Sequence, residues 1–187
     1  MNEMVEIEYK MLVSEDIFYK ILNDYQNHIE KIYTQTNYYL TYDLLKQRKY
    51  MLRIREKENM YEMTLKRPYL NHNLETNVNI TKQDKDDILN GQGVDNEIIN
   101  ILKDEGFDIN LIQNEVTLTT KRHDIILNEG VLSLDINTYN GITDYEIEFE
   151  VNDEKQGFEK FLNIIKPYNI EYISNNKSKI KRALDSI

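Results

Sequence analysis

The sequence predicts an α+β fold in which about eight β-strands, enough to close into a barrel, are interrupted by amphipathic helices. Three observations carry that prediction. Segments with apolar residues at every second position recur from one end of the chain to the other. Between them lie stretches whose apolar residues repeat every three or four positions. No linker rich in Gly, Pro or Ser interrupts the 187 residues, so the chain reads as one domain over 1–187.

The elements follow in order. Val5-Glu6-Ile7-Glu8-Tyr9-Lys10 alternates apolar and charged residues, the pattern of a strand. Ser14 reads as an N-cap with Glu15 and Asp16 in the first turn. Ile17, Phe18, Ile21, Leu22, Tyr25, Ile29 and Ile32 then fall at helical spacing, which predicts a helix over 15–32. A Tyr- and Thr-rich strand covers Gln35–Asp43. Tyr50–Glu56 and Tyr61–Arg67 form a hairpin around Lys57-Glu58-Asn59, with Pro68 closing the second arm. Leu74–Ile80 alternates again. Helices follow over 82–90, capped by Thr81, and over 95–105, capped by Asp95 and stopped by Gly106. Strands return at Asn114–His123, Asp124–Asn128, Val131–Tyr139 and Thr143–Val151, with Gly130 and Gly141 at turns. A helix over 154–166 ends at Pro167, Glu171–Ser174 reads as a short strand, and a last helix starts near Lys177–Lys179.

Composition removes several classes of function. Hydrophobic residues at 40% and charged residues at 30% exclude a disordered chain. No run approaches eighteen apolar residues and Met1–Glu8 is acidic, which predicts neither a spanning helix nor a secretory signal, no membrane partner and a cytoplasmic location. With no cysteine there is no disulfide, thiolate metal site or cysteine nucleophile. The net charge of −10, with no basic block, argues against nucleic acid as partner. A small polyanion is a different case, because a local cluster of cations suffices to hold it. Gly91-Gln-Gly93 lacks the following Lys-Ser/Thr of a phosphate loop. His28, His72 and His123 have no mutual metal spacing and read as solvated surface residues.

The chemistry lies in the strand faces. Residues two apart on a strand share a face. Glu6, Glu8 and Lys10 oppose Val5, Ile7 and Tyr9, and Arg53 and Arg55 oppose Leu52 and Ile54. Thr64 and Lys66 face away from Met63 and Leu65, and Glu75 and Asn77 from Thr76 and Val78. Asp135 opposes Leu134 and Ile136, Glu146 and Glu148 oppose Ile147 and Phe149, and Arg122 shares the phase of Thr120. A sheet with one face in water gives the same alternation. Two features set these strands apart: the polar face carries full charges on nearly every strand, and like charges neighbour each other although crowding repels them. Turned into an enclosed space, such carboxylates require a hard divalent cation and such arginines and lysines require phosphate.

At these residues the chain resembles a known family. Glu6-Ile-Glu8-Tyr-Lys10 at the very N-terminus is similar to the Glu-x-Glu-x-Lys signature of CYTH domains, the triphosphate tunnel metalloenzymes. Leu52-Arg-Ile-Arg55, Thr64-Leu-Lys66, Leu74-Glu-Thr76, Thr119-Thr-Lys-Arg122, Leu134-Asp135, Asp144-Tyr-Glu-Ile-Glu-Phe-Glu150 and Lys177-Ser-Lys179 follow in the family's order, over essentially the whole chain. The likeness is to the bacterial Firmicutes-type branch, adenylate cyclase-like and thiamine triphosphatase-like. It implies a closed eight-stranded antiparallel β-barrel, a triphosphate tunnel, with helices packed outside. By position it implies Glu6, Glu8, Glu75, Asp135, Glu146 and Glu148 as metal ligands for Mg²⁺ or Mn²⁺. Lys10, Arg53, Arg55, Lys66 and Arg122 are implied as catalytic phosphate-binding residues, joined by Lys179. Lys177 is either a further phosphate ligand or a helix-surface lysine. One departure stands out: Asn77 occupies a position where many members carry a second acid, which puts a second metal in question.

The expected activity is metal-dependent hydrolysis of a triphosphate-containing small molecule, inorganic triphosphate first, by a monomer or homodimer. The alternatives are a class IV-type adenylate cyclase making cyclic AMP and a non-catalytic sensor of polyphosphate or a nucleotide.

Overall fold

The computed structural model describes residues 7–69, 72–175 and 177–187. Its strands are β1 (Ile7–Val13), β2 (Ile29–Thr41), β3 (Met51–Lys57), β4 (Met60–Tyr69), β5 (His72–Ile80), β6 (Gln113–Leu127), β7 (Gly130–Tyr139) and β8 (Ile142–Val151). The helices are α1 (Glu15–Asp24), α2 (Asp43–Gln47), α3 (Lys82–Leu89), α4 (Glu97–Asp104), α5 (Glu154–Ile165) and α6 (Lys179–Leu184). The strands form one eight-stranded antiparallel sheet in the order β1-β8-β7-β6-β2-β3-β4-β5. Closure into a barrel would require the terminal strands β1 and β5 to pair, and no such pairing occurs among the described residues. The expected closed barrel is thus reduced to an eight-stranded sheet with helices.

The chain groups into two compact units. One comprises the residues up to Thr34 together with Thr120–Arg182, and the other comprises Gln35–Thr119 with Ala183–Ile187. In the first, the apolar phase of β7 and β8 (Leu132, Leu134, Ile147, Phe149) packs on Phe18 and Ile21 of α1 and Phe161, Ile164 and Ile165 of α5. In the second, Leu52, Ile54, Met63 and Leu65 pack on Ile88 of α3 and Ile98, Ile99 and Leu102 of α4. In each unit helices cover the apolar face of the strands, and the ionic residues occupy the opposite phase.

Local chemistry explains the boundaries. Ser14 caps α1 through Ile17 N at 3.4 Å, and Thr81 and Asp84 form a reciprocal capping box on α3. The cap of α4 is Asn96, whose Oδ1 accepts from Ile99 N at 2.9 Å, one residue beyond the expected Asp95. Glu58 and Asn59, both with positive φ, make the two-residue turn from β3 to β4. Asn140 and Gly141 do the same between β7 and β8.

Four further expectations need correction. The helix over 15–32 stops at Asp24, and a 3₁₀ turn at Gln26–His28 leads into β2. Ile32 is exposed, so its helical phase with Ile29 was coincidental in a segment rich in β-branched and aromatic residues. The two strands at Asn114–His123 and Asp124–Asn128 are one, β6, because neither Gly nor Pro breaks the chain there and Asp124 remains in the strand, accepting from Ser133 Oγ at 2.7 Å. Glu171–Ser174 forms no strand. His123 is not on the surface. It is buried on the phase of Ile125 and Leu127, with Nδ1 3.3 Å from Leu134 O.

Candidate metal and phosphate centre

In the first unit, register brings the acids together. Asp135 of β7 lies directly opposite Glu146 of β8, while Lys10 of β1 lies opposite Glu148. Asp135 and Glu146 are 0% exposed although they sit on the polar phase of their strands. A solvated sheet face would leave them open. One oxygen from each of Asp135, Glu146 and Glu148 lies within 4.8 Å of the other two. Octahedral Mg²⁺ holds oxygens at about 2.0–2.1 Å, which places neighbouring and opposed ligands roughly 3–4 Å apart. Carboxylate oxygens are the ligand type such an ion takes, and three of them are gathered here within 4.8 Å of one another.

The carboxylates are met by cations from β6 and α6. Arg122 binds Asp135 through both Nε (2.7 Å) and Nη2 (2.6 Å), and Nη2 also donates to Glu148. The ammonium of Lys179 contacts Asp135 Oδ2 at 2.8 Å and Glu146 Oε2 at 3.0 Å, and it pairs with Glu148 Oε1. Burial raises the pKa of Asp135, but Arg122 and Lys179 outweigh it and hold the carboxyl below its ordinary range. Burial by itself would lower the pKa of Arg122 and of Lys179, but the surrounding carboxylates raise both, so these groups stay charged.

Three neighbours were not singled out from the sequence. Arg182, one helical turn after Lys179, donates to Glu146 Oε2 at 2.9 Å and Oε1 at 3.2 Å, and to Asp144 Oδ2 at 2.8 Å. Asn175 Nδ2 donates to Glu146 Oε1 at 2.9 Å. Asp144 lies two residues before Glu146 on the same strand face. The signal for Arg182 was its i+3 spacing from Lys179, and for Asp144 its parity with Glu146.

The other unit carries its own ionic face. On β3, Arg53 Nη2 donates to Thr64 Oγ1 at 3.3 Å, and Arg55 Nε donates to Asn37 Oδ1 at 3.3 Å. Thr64 donates to Asn77 Oδ1 at 2.7 Å, Asn77 donates to Glu75 Oε1 at 3.0 Å, and Lys66 pairs with Glu75 Oε2 at 2.8 Å. Burial raises the pKa of Glu75, but the hydrogen bonds from Lys66 and Asn77 and the charges of Lys66 and Arg53 outweigh it, leaving it below its ordinary value. Arg53 Nε is buried and makes no hydrogen bond, an unsatisfied donor of the kind an anion would meet. Asn77 thus supports Glu75 and Thr64 and has its oxygen already engaged.

The remaining expected residues divide. Glu8 pairs with Lys10 and stands opposite Glu150, outside the three-carboxylate group. The backbone carbonyl of Lys177 accepts from Arg182 Nη1 at 3.1 Å. Glu6 lies outside the described residues.

The model of the CYTH domain matches residues 4–184. This chain belongs to the CYTH domain family. Among proteins similar to this CYTH domain is one from Bacillus subtilis (strain 168) named "putative triphosphatase YjbK", 30% identical over 97% of this chain and 95% of that protein. A solved structure from Bacillus halodurans titled as a "putative adenylate cyclase" is 36% identical, with a TM-score of 0.74 over 95% of this chain and 96% of the other. A Hippeastrum protein whose title pairs "putative adenylyl cyclase" with a dominant triphosphatase activity shares the fold. Its TM-score is 0.77 at 21% identity, over 97% of this chain and 96% of that one. No helix among the described residues of this CYTH domain is long and apolar enough to cross a membrane.

Proposed function

We propose that this CYTH domain binds inorganic triphosphate with Mg²⁺ or Mn²⁺ and hydrolyses it to diphosphate and orthophosphate. The observation that carries the reading is the group of Asp135, Glu146 and Glu148, clustered away from water on the same strand phase as Arg122. The similarity to the Bacillus subtilis protein named as a triphosphatase supports it.

Asp135, Glu146 and Glu148 would hold the metal ion, which would supply charge neutralisation at the phosphoryl oxygens. Glu6, Glu8 and Glu75 remain proposed as further acidic ligands. Arg122, Lys10, Lys177 and Lys179 would pair with phosphate oxygens, as would Arg53, Arg55 and Lys66. Arginine offers two parallel N–H donors to a phosphoryl group, and the open Nε of Arg53 can accept such a partner without breaking an existing bond. Water would attack the terminal phosphorus, the bond to the bridging oxygen would break, and diphosphate would leave. The protein's part is orientation and the placing of fixed positive charge where negative charge must be held during transfer.

A second reading is kept by the Bacillus halodurans relative, whose title names adenylate cyclase. Product analysis with inorganic triphosphate, thiamine triphosphate and ATP, in Mg²⁺ and then Mn²⁺, separates the two. Orthophosphate released fastest from inorganic triphosphate, and only with metal, supports the first. Cyclic AMP and diphosphate from ATP would replace it with the second. Turnover that survives Glu148→Gln unchanged would remove the assigned centre.

A further inference from the structure

The position of Lys179 carries an inference that rests on the metal reading and deepens it. Its ammonium touches one oxygen of each of three carboxylates, Asp135 Oδ2, Glu146 Oε2 and Glu148 Oε1. These are the same three residues whose oxygens cluster closely enough to share an ion. We propose that Lys179 is a tethered stand-in for the divalent cation, occupying its place among Asp135, Glu146 and Glu148, and that metal binding requires its ammonium to leave.

The argument is one of space and charge. An ion bonded to those oxygens at about 2.1 Å would lie in the volume the ammonium fills, and two cations at that separation repel strongly in a site screened from water. Each carboxylate oxygen accepts about two hydrogen bonds. Glu146 is fully engaged, with Asn175 and Arg182 on Oε1 and Arg182 and Lys179 on Oε2. A metal bond to Glu146 therefore costs one of these donors, and Lys179 is the one free to leave. Arg182 is fixed by Asp144 and by the carbonyl of Lys177 as well as by Glu146, whereas Lys179 Nζ sits on a flexible four-carbon stem and, among the described residues, pairs with the three carboxylates alone. Arg182 then keeps α6 in place while Lys179 swings out and becomes available to phosphate. The exchange ties the two halves of the substrate complex together: metal entry releases the cation that binds the phosphate chain.

Two measurements test this without relying on turnover. The first is acetylation of the metal-free, full-length protein by a water-soluble acylating reagent, read by peptide mass spectrometry, with and without saturating Mg²⁺ and no triphosphate present. Labelling of Lys179 is expected to rise several-fold with Mg²⁺, while Lys155 and Lys160 on α5 stay constant. The second is Mn²⁺ affinity by titration calorimetry. Lys179→Met is expected to bind Mn²⁺ roughly tenfold more tightly or better, because it leaves the buried carboxylates without their competitor. Unchanged Lys179 labelling at saturating Mg²⁺, or weaker Mn²⁺ binding by Lys179→Met, overturns the exchange while leaving the metal site standing. Failure of both wild type and variant to bind Mn²⁺ overturns the metal site and the exchange together.

Discussion

Arg182 offers the sharpest test of how the buried charge cluster is held. The perturbation is Arg182→Met, which keeps much of the side-chain volume and removes the guanidinium. In the native arrangement that group donates to Glu146 at 2.9 and 3.2 Å and to Asp144 at 2.8 and 3.2 Å. Among the described residues, its loss leaves the wholly buried Glu146 with only Lys179 and Asn175 as donors. Removing one partner of a buried ion pair costs about 3–5 kcal/mol, because the remaining charge keeps its desolvation penalty. At roughly 2–4 °C per kcal/mol for a chain of this size, the melting temperature should fall by ~10 °C. The assay is thermal unfolding by circular dichroism at pH 7 without divalent metal. Lys82→Ala serves as reference, since it breaks only the exposed pair with Asp86 and should leave the melt unchanged. A fall no larger than that of the reference would refute the reasoning. So would an equal effect of Arg182→Met in a Glu146→Gln background, where the pair is already broken.

Two further predictions concern the scaffold. His123 is buried and its pKa lies below the usual 6.5, with burial as the main cause. The unfolded chain therefore takes up a proton that the fold resists, so the contribution is present above about pH 6.5 and is lost progressively as pH falls below it. Urea midpoints at pH 7.5 and 5.5 should differ more for wild type than for His123→Leu, and an equal difference would exclude His123 as the source. Gly130→Ala would place a Cβ 1.9 Å from the carbonyl oxygen of Glu150 at the β7–β8 pairing. Backbone cannot yield as a flexible side chain does, so the loss should reach or exceed the top of the roughly 1–3 kcal/mol range for overpacking. A melt within experimental error of wild type would show that the hairpin shifts to accommodate it.

The ionic strand faces were legible because side-chain parity is a local property. Asp135, Glu146, Glu148 and Arg122 could be assigned to the polar phase from spacing alone, and the register of β7 on β8 then sets the acids opposite each other. Burial of that face was not local. It was expected for the set as a whole from like charges too crowded for open water; Asp135 and Glu146, at 0% exposure, match it, whereas Glu8 and Glu75 are exposed. Arg182 and Asn175 escaped notice because they come from the C-terminal segment, whose approach to β8 is a tertiary fact. His123 was misplaced for a different reason. A strand break put beside it hid its parity with Ile125, and one continuous β6 would have sent it into the core. The overlong first helix shows the converse: Ile29 and Ile32 satisfied a helical period while lying in a strand, where neighbouring strands override local pattern.

Crystals of the protein containing Mn²⁺ and inorganic triphosphate, measured for anomalous scattering, would test the central claim most directly. The account expects a Mn²⁺ peak bonded to oxygens of Asp135, Glu146 and Glu148, with the Lys179 ammonium withdrawn from all three and turned to phosphate. A peak elsewhere, with those three carboxylates still bound to Lys179 as they are here, would contradict it.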